Sequence, residues 1–169
     1  MEIKTERLTL RHMTVDDAEN MHAYASDVEN TKYMVFFPHK SIRQTRDFVE
    51  KIISEYTAES PDFYELAVCL EGKMIGHVSM YMLDDGAELA WIIGKKYWGM
   101  GYATEAARGL IAYGREEMGI TRFCAMCDYR NEASRKVMEK LGMKKESEGE
   151  RPYTENGMPV KEYVYSISY

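Results

Sequence analysis

Hydrophobic and polar positions alternate in some segments of the chain and recur at helical spacing in others. Residues 7–11 alternate, which is typical of a half-buried strand, and residues 15–24 follow with an acidic first turn after Thr14. Residues 27–33 are a candidate short helix. In residues 41–56 apolar positions recur every three or four residues, which indicates a longer amphipathic helix. The pattern therefore predicts a strand followed by helices.

The middle of the chain consists of strand-like segments separated by short turns. Residues 64–70, 74–82 and 88–93 are rich in apolar and β-branched positions. The turns between these segments carry Gly72 and Gly86, and glycine is favoured where a tight turn needs a positive φ. This arrangement predicts three antiparallel strands in a row.

Helices and strands alternate in the last third of the chain. A helix is predicted over residues 102–118, because its apolar positions have helical spacing and Gly119 follows as a C-terminal glycine. A strand over residues 121–128 comes next, and Asn131 can cap a further helix. The chain closes with two segments that have the pattern of a hairpin, residues 143–148 and 160–168. The order of elements predicts one α+β domain over residues 1–169.

Composition and charge restrict the class of protein. The chain has 169 residues, enough for one globular domain, and its 45% hydrophobic and 30% charged residues are the balance of a folded protein. No apolar run approaches the roughly 20 residues of a membrane-spanning helix, and the start lacks the layout of a signal peptide. We therefore expect a cytoplasmic protein with no membrane partner. The net charge of -6 argues against nucleic acid as a partner.

Neither the cysteines nor the histidines indicate a redox or metal site. Three cysteines, Cys69, Cys124 and Cys127, are an odd number for a disulfide framework. Cys124 and Cys127 lie three positions apart in an alternating segment and so face opposite sides of a strand. We expect all three to be buried and free. The four histidines show no metal-ligand spacing, and we expect no metal and assign no role to His12, His22, His39 or His77.

A pair of glycines, Gly99 and Gly101, stands between the predicted strands and the helix at residues 102–118. Free N–H groups in the first turn of a helix form an anion site, and glycines let a phosphate approach the main chain. A tight turn without any ligand would also explain a lone G-x-G. No P-loop motif is present, and Thr104 stands where a dinucleotide-binding fingerprint needs a third glycine. The glycines alone leave the cofactor and turn interpretations open.

Three ordered motifs extend over most of the chain. They read T-E-R-L-T-L-R at residues 5–11, Y-W-G-M-G-Y-A-T-E-A at residues 97–106, and N-x-x-S-x-x-x-x-E-K-L-G-M at residues 131–143. Together they resemble the RimJ/RimL-like branch of the GNAT superfamily of N-acetyltransferases. The second motif is similar to the acetyl-coenzyme A (acetyl-CoA) loop of that superfamily, except that Lys96 replaces the usual arginine or glutamine. This resemblance favours a cofactor loop over a simple turn.

The resemblance implies a three-layer α+β fold of the GNAT type. Its central sheet would be mixed, mostly antiparallel and seven-stranded, splayed at the central strands and flanked by about four helices. Acetyl-CoA would bind as acetyl donor, with its pyrophosphate on the glycine loop and its pantetheine arm along a free strand edge. The residues expected to hold it are Trp91, Ile92, Ile93, Trp98, Gly99, Met100, Gly101, Tyr102, Ala103, Thr104 and Asn131. Asn131 has an equally good alternative role as a plain helix cap.

The activity that the resemblance implies is direct transfer of acetyl to a primary amine. An amine is nucleophilic only when neutral, so the site needs a base near pH 7. Glu88 is the first choice, and a plain strand glutamate is the alternative. Met138 stands where many members have a tyrosine as general acid, and methionine cannot donate a proton. Ser134, one turn earlier, could bind the leaving sulfur or be an ordinary first-turn serine.

The acceptor is the least defined part of the site. The region between the early helices borders the acceptor site in the family, and Tyr33, Phe36 and Phe37 could line it or simply pack in the core. The resemblance suggests a protein N-terminal amine, while the same branch includes enzymes that act on small amines. Two alternatives without catalysis stay open, an acyl-CoA sensor and an interaction domain whose glycines only shape a turn. Both a monomer and a homodimer fit the sequence.

Overall fold

The computed structural model describes residues 1–35, 38–57, 61–152 and 159–169. Within these ranges the strands are β1 (Glu2–Lys4), β2 (Leu8–His12), β3 (Phe63–Leu70), β4 (Lys73–Leu83), β5 (Gly86–Ile93), β6 (Arg122–Asp128), β7 (Lys144–Pro152) and β8 (Pro159–Ser168). The α-helices are α1 (Ala18–Ala25), α2 (Val28–Thr31), α3 (Ile42–Glu55), α4 (Tyr102–Met118) and α5 (Glu132–Lys140). None of the described helices is long and apolar enough to cross a membrane.

All the described strands belong to one sheet with the order β1-β2-β3-β4-β5-β6-β8-β7. Neighbouring strands are antiparallel except β5 and β6, which run parallel. The expected α+β architecture with a mixed, mostly antiparallel sheet is confirmed, but the described part of the chain has eight strands, one more than expected. The additional strand is β1, which pairs with residues 9–11 of β2 and is too short to show alternation. The described α-helices number five rather than the roughly four that the resemblance implied, and the short α2, capped by Asp27, corresponds to the candidate helix at residues 27–33.

Helices cover both faces of the sheet and bury two apolar clusters. On one face α4 and α5 contribute Leu110 and Met138, which pack with Phe123 of β6. On the other face α1 and α3 contribute Met21 and Val49. Each of these five side chains is fully buried, and burying an aliphatic or aromatic side chain contributes about 1.5–3 kcal/mol to folding. The cysteines are buried and free, as expected.

The sheet is splayed between its two parallel strands. β5 and β6 pair only at Ala87 with Phe123 and at Glu88 with Cys124. Beyond this point β6 continues to pair with β8, and β5 with β4, so a gap opens between β5 and β6 toward their C-terminal ends. Because α4 follows β5 and α5 follows β6, the N-termini of both helices lie at the open end of the gap. The expected splay is confirmed, and it creates a cleft at one end of the sheet.

Candidate active site

The loop between β5 and α4 carries both glycines of the expected cofactor site. Gly99 and Gly101 have φ values of 76° and 82°, the left-handed region, in which a residue with a Cβ costs about 1–2 kcal/mol. A Cβ on Gly99 would meet no atom of the described residues within 4 Å. The backbone conformation therefore requires the glycines, and the surface beside Gly99 is open to a ligand.

The N-terminus of α4 has no side-chain cap. Gly101 occupies the N-cap position, and the first intrahelical bond runs from the N–H of Glu105 to the carbonyl of Gly101 at 3.0 Å. Side-chain oxygens of Asp27 and Ser41 cap α2 and α3 instead. The N–H groups of residues 102–104 are therefore donors that no N-cap side chain satisfies. Together with the helix dipole they form an anion site at the open end of the gap.

The edge of β5 that faces the gap presents main-chain groups of Trp91. The N–H of Gly94 donates to the carbonyl of Ile75 at 2.8 Å, which sets the phase of the ladder between β4 and β5. Hydrogen-bonded and non-bonded pairs alternate in antiparallel strands. The main-chain groups of Ile92 therefore point toward β4, whereas those of Trp91 and Ile93 point into the gap.

The carbonyl of Ile93 already has two donors. The indole Nε1 of Trp98 donates to it at 2.7 Å, and the side-chain Nδ2 of Asn30 donates to it at 3.2 Å. The side-chain oxygen of Asn30 accepts from the N–H of Lys95 at 2.6 Å. Asn30 thus fixes α2 to the corner where β5 becomes the glycine loop. The sequence gives no sign of this role, because a polar residue in a one-turn helix is expected to be exposed.

Glu88 lies at the closed end of the gap. Its partners are Tyr81 in β4 and Cys124 in β6, and directly paired residues share a face of the sheet. Burial raises the pKa of Glu88, and the negative charge of Glu162 raises it further. A carboxylate whose pKa is raised toward neutrality suits proton acceptance at physiological pH.

The first turn of α5 places two expected site residues at the open end of the gap. Asn131 is the N-cap, and its side-chain oxygen accepts from the N–H of Ser134 at 3.1 Å. The capping role of Asn131 is therefore real, and its NH2 group is the part that could reach a ligand. Met138 is fully buried in the core. The position at which many family members carry a tyrosine therefore offers no proton donor here.

An ionic network lies beside Tyr33, a residue expected to border the acceptor. The main-chain carbonyl of Tyr33 accepts from Arg151 at 2.9 Å, and its ring centroid is 5.7 Å from the guanidinium of Arg130. Both arginines pair with Asp128, Arg130 at 2.7 Å and Arg151 at 3.7 Å. Burial acts to raise the pKa of Asp128, but the hydrogen bonds from Arg130 lower it below its usual value. Two other expected lining residues, Phe36 and Phe37, lie outside the described residues.

A splayed sheet with an uncapped helix at the open end of the gap is the arrangement expected of an acetyltransferase, and comparison with known proteins shows the family. Residues 7–144 match the family described as acetyltransferase (GNAT) domain. The chain belongs to this family and is an N-acetyltransferase.

Individual relatives cover nearly the whole chain. The uncharacterized N-acetyltransferase p20 of Bacillus licheniformis is 31% identical over 96% of this chain and 93% of its own length. A GNAT-family acetyltransferase from Bacillus anthracis is 33% identical, with a TM-score of 0.84 over 99% of this chain and 98% of that one. An acetyltransferase from Salmonella typhimurium that modifies the N-terminal serine of ribosomal protein L7/L12 shares the fold, with a TM-score of 0.84 over 100% and 99% of the two chains at 17% identity. These likenesses are consistent with the RimJ/RimL-like branch.

Proposed function

We propose that the protein binds acetyl-CoA in the gap between β5 and β6 and transfers its acetyl group to a primary amine. The observation that carries this proposal is the coincidence of a free strand edge and an uncapped helix N-terminus at one end of the sheet. An extended amide chain adds to a strand edge through main-chain hydrogen bonds, and a pyrophosphate suits the N-terminus of a helix. The strand edge therefore suits the pantetheine arm of acetyl-CoA, and the helix N-terminus suits its pyrophosphate.

In this proposal acetyl-CoA is held mainly by main-chain groups of the protein. Trp91 offers both its N–H and its carbonyl to the pantetheine arm, whereas Ile92 faces β4 and Ile93 has only its N–H free. The loop over residues 98–104 receives the pyrophosphate, and the hydroxyl of Thr104 can add a hydrogen bond. The NH2 group of Asn131 donates to the arm from the other side of the gap.

Acid–base chemistry is assigned to Glu88. Bound acetyl-CoA supplies an acetyl thioester, and Glu88, directly or through water, accepts the proton that makes the incoming amine nucleophilic. The N–H of Ile93 points into the gap and stabilises the negative charge that develops on the thioester oxygen. The hydroxyl of Ser134 donates to the leaving sulfur. A thiolate with an ordinary pKa of about 8.5 leaves without the strong acid that Met138 cannot provide.

The acceptor is a primary amine of a protein N-terminus or of a small molecule. Its path to Glu88 runs past Tyr33, whose main chain Arg151 holds against the end of the sheet. In this proposal Tyr33, Phe36 and Phe37 line the acceptor entrance. Burial and the nearby charge of Glu162 raise the pKa of Glu88, and Glu162 itself pairs with Arg151 at 3.9 Å.

A panel of amines tests this assignment. N-terminal peptides, polyamines and small monoamines are each incubated with acetyl-CoA and the protein, and release of free thiol is followed. Amine-dependent thiol release by one class supports the enzyme and identifies its acceptor. Binding of acetyl-CoA without turnover of any amine would instead support a non-catalytic acyl-CoA sensor, and absence of both would leave only an interaction domain.

A further inference from the structure

The start of the chain contacts the cofactor loop. Thr5 and Arg7 precede β2, and Glu105 lies in the first turn of α4. The hydroxyl of Thr5 and the N–H of Arg7 both donate to one carboxylate oxygen of Glu105, at 2.6 Å and 2.7 Å. The side-chain Nε of Arg7 donates to the other oxygen at 2.7 Å. Both oxygens of this carboxylate are therefore bound by the segment before β2.

Arg7 also contacts the loop itself. One guanidinium nitrogen donates to the main-chain carbonyl of Met100 at 3.1 Å. The guanidinium lies 4.6 Å from the centre of the Tyr102 ring, and a Cβ on Gly101 would lie 3.5 Å from it. Arg7 thus contacts Met100 and Tyr102, the residues on either side of Gly101. Because Gly99 and Gly101 give the loop little conformational preference of its own, an external contact of this kind decides where its carbonyl points.

The same contacts remove a charge conflict at the anion site. A carboxylate in the first turn of a helix interacts well with the helix dipole but repels an anion bound at that terminus. Burial acts to raise the pKa of Glu105, yet the hydrogen bonds from Thr5 and Arg7 lower it below its usual value. Glu105 therefore stays ionised, and the positive charge of Arg7 offsets it at a salt-bridge distance of 2.6 Å.

We propose that Arg7 is a positioning residue of the donor site, which holds the Met100 carbonyl and the Glu105 carboxylate away from the bound diphosphate. This role rests on the proposed function, because the diphosphate is that of acetyl-CoA. It also explains why the first and second sequence motifs occur together: Thr5 and Arg7 of one bind Glu105 of the other. The catalytic groups around Glu88 have no part in these contacts among the described residues.

The test compares a donor with a diphosphate and one without. Coenzyme A is titrated calorimetrically into the wild type and into Arg7→Met, and acetyl transfer from S-acetylpantetheine to the amine that gives turnover in the panel above is measured for both. We expect Arg7→Met to weaken coenzyme A binding at least tenfold, or about 1.4 kcal/mol, and to leave kcat/KM for S-acetylpantetheine within twofold. In the double variant Arg7→Met/Glu105→Gln the negative charge that Arg7 no longer offsets is gone, so part of the lost affinity should return.

Arg11→Met is the matched control. Arg11 makes a bidentate pair with Asp17 at 2.7 Å and 2.8 Å in the neighbouring part of the chain and has no contact with the loop among the described residues. Its loss should lower stability without changing the dissociation constant of coenzyme A. Equal coenzyme A affinity in Arg7→Met and wild type would overturn the proposal, as would an equal loss with S-acetylpantetheine, which would indicate a general role in folding. If the wild type itself does not bind coenzyme A, both the proposed function and the proposed role of Arg7 are wrong.

Discussion

Replacing Glu65 by glutamine probes a buried polar group on the face of the sheet that α1 covers. Glu65 of β3 is only 4% exposed, and its carboxylate lies 3.4 Å from Nε2 of His77 in β4. The other ring nitrogen of His77 is 2.9 Å from the hydroxyl of Tyr24, which is also buried. The pair is either two neutral groups or a buried ion pair, and these alternatives predict opposite effects of the substitution.

The structure favours two neutral groups. Burial raises the pKa of Glu65 from 4.5 to about 7, against the opposing hydrogen bond from Ser79. Burial also lowers the pKa of His77 from 6.5 to about 3. A raised carboxyl pKa contributes stability that is fully present below pH 4.5 and is lost as the pH rises through 7. A pKa change of this size corresponds to about 3 kcal/mol of unfolding free energy.

Urea unfolding of wild type and Glu65→Gln between pH 5 and pH 8.5 measures the effect. Glutamine never ionises and can donate to His77 in place of the protonated carboxyl. We therefore expect similar stability at pH 5 and an advantage for Glu65→Gln that grows to about 3 kcal/mol at the highest pH. The contribution of His77 is the same in both proteins and cancels in the difference. A loss of several kcal/mol in Glu65→Gln at pH 7 would refute this reasoning, because it would reveal a charged histidine left without its partner.

Three further substitutions address the site. Glu88→Gln should lower kcat/KM about 100-fold and remove the acidic limb of the pH profile, since the base must lose its proton as the pH rises through its raised pKa; an unchanged profile would exclude Glu88. Asn30→Ala leaves the N–H of Lys95 without its partner, and should cost about 1–3 kcal/mol in urea unfolding; a change below 0.5 kcal/mol would show that Asn30 does not fix this corner. Gly76→Ala would place a Cβ 2.2 Å from the carbonyl oxygen of Ile92, so it should shift the end of β5 and weaken acetyl-CoA binding. Wild-type affinity measured by calorimetry would contradict a rigid strand edge at this position.

The sequence predicted those helices and strands whose ends are marked by local residues such as glycine. Helix α4 runs over the residues expected, because Gly101 and Gly119, both with positive φ, mark its two ends. The glycine pair alone left a turn and an anion site open, and its positive φ values are confirmed by the structure. In contrast, β1 is too short to show alternation, and its pairing with β2 depends on a turn that brings the start of the chain back.

Long-range contacts could not be read from the sequence. Arg7 and Glu105 meet although 98 positions separate them, and nothing in either segment specifies the other without the folded sheet between them. The sequence also could not predict which main-chain groups of β5 point into the gap, because their direction depends on the phase of the β4–β5 ladder. This phase turns Ile92 away from the gap and points both main-chain groups of Trp91 into it.

The most direct test of the account is calorimetric titration of acetyl-CoA into the wild type, Gly101→Val and Gly119→Val. Both glycines border α4 with positive φ, 82° and 70°, so the two substitutions impose similar backbone strain at opposite ends of one helix. We predict one acetyl-CoA bound per chain in the wild type and in Gly119→Val, and none in Gly101→Val. No binding to the wild type, or equal binding to Gly101→Val and the other two proteins, would contradict a donor site at the N-terminus of α4.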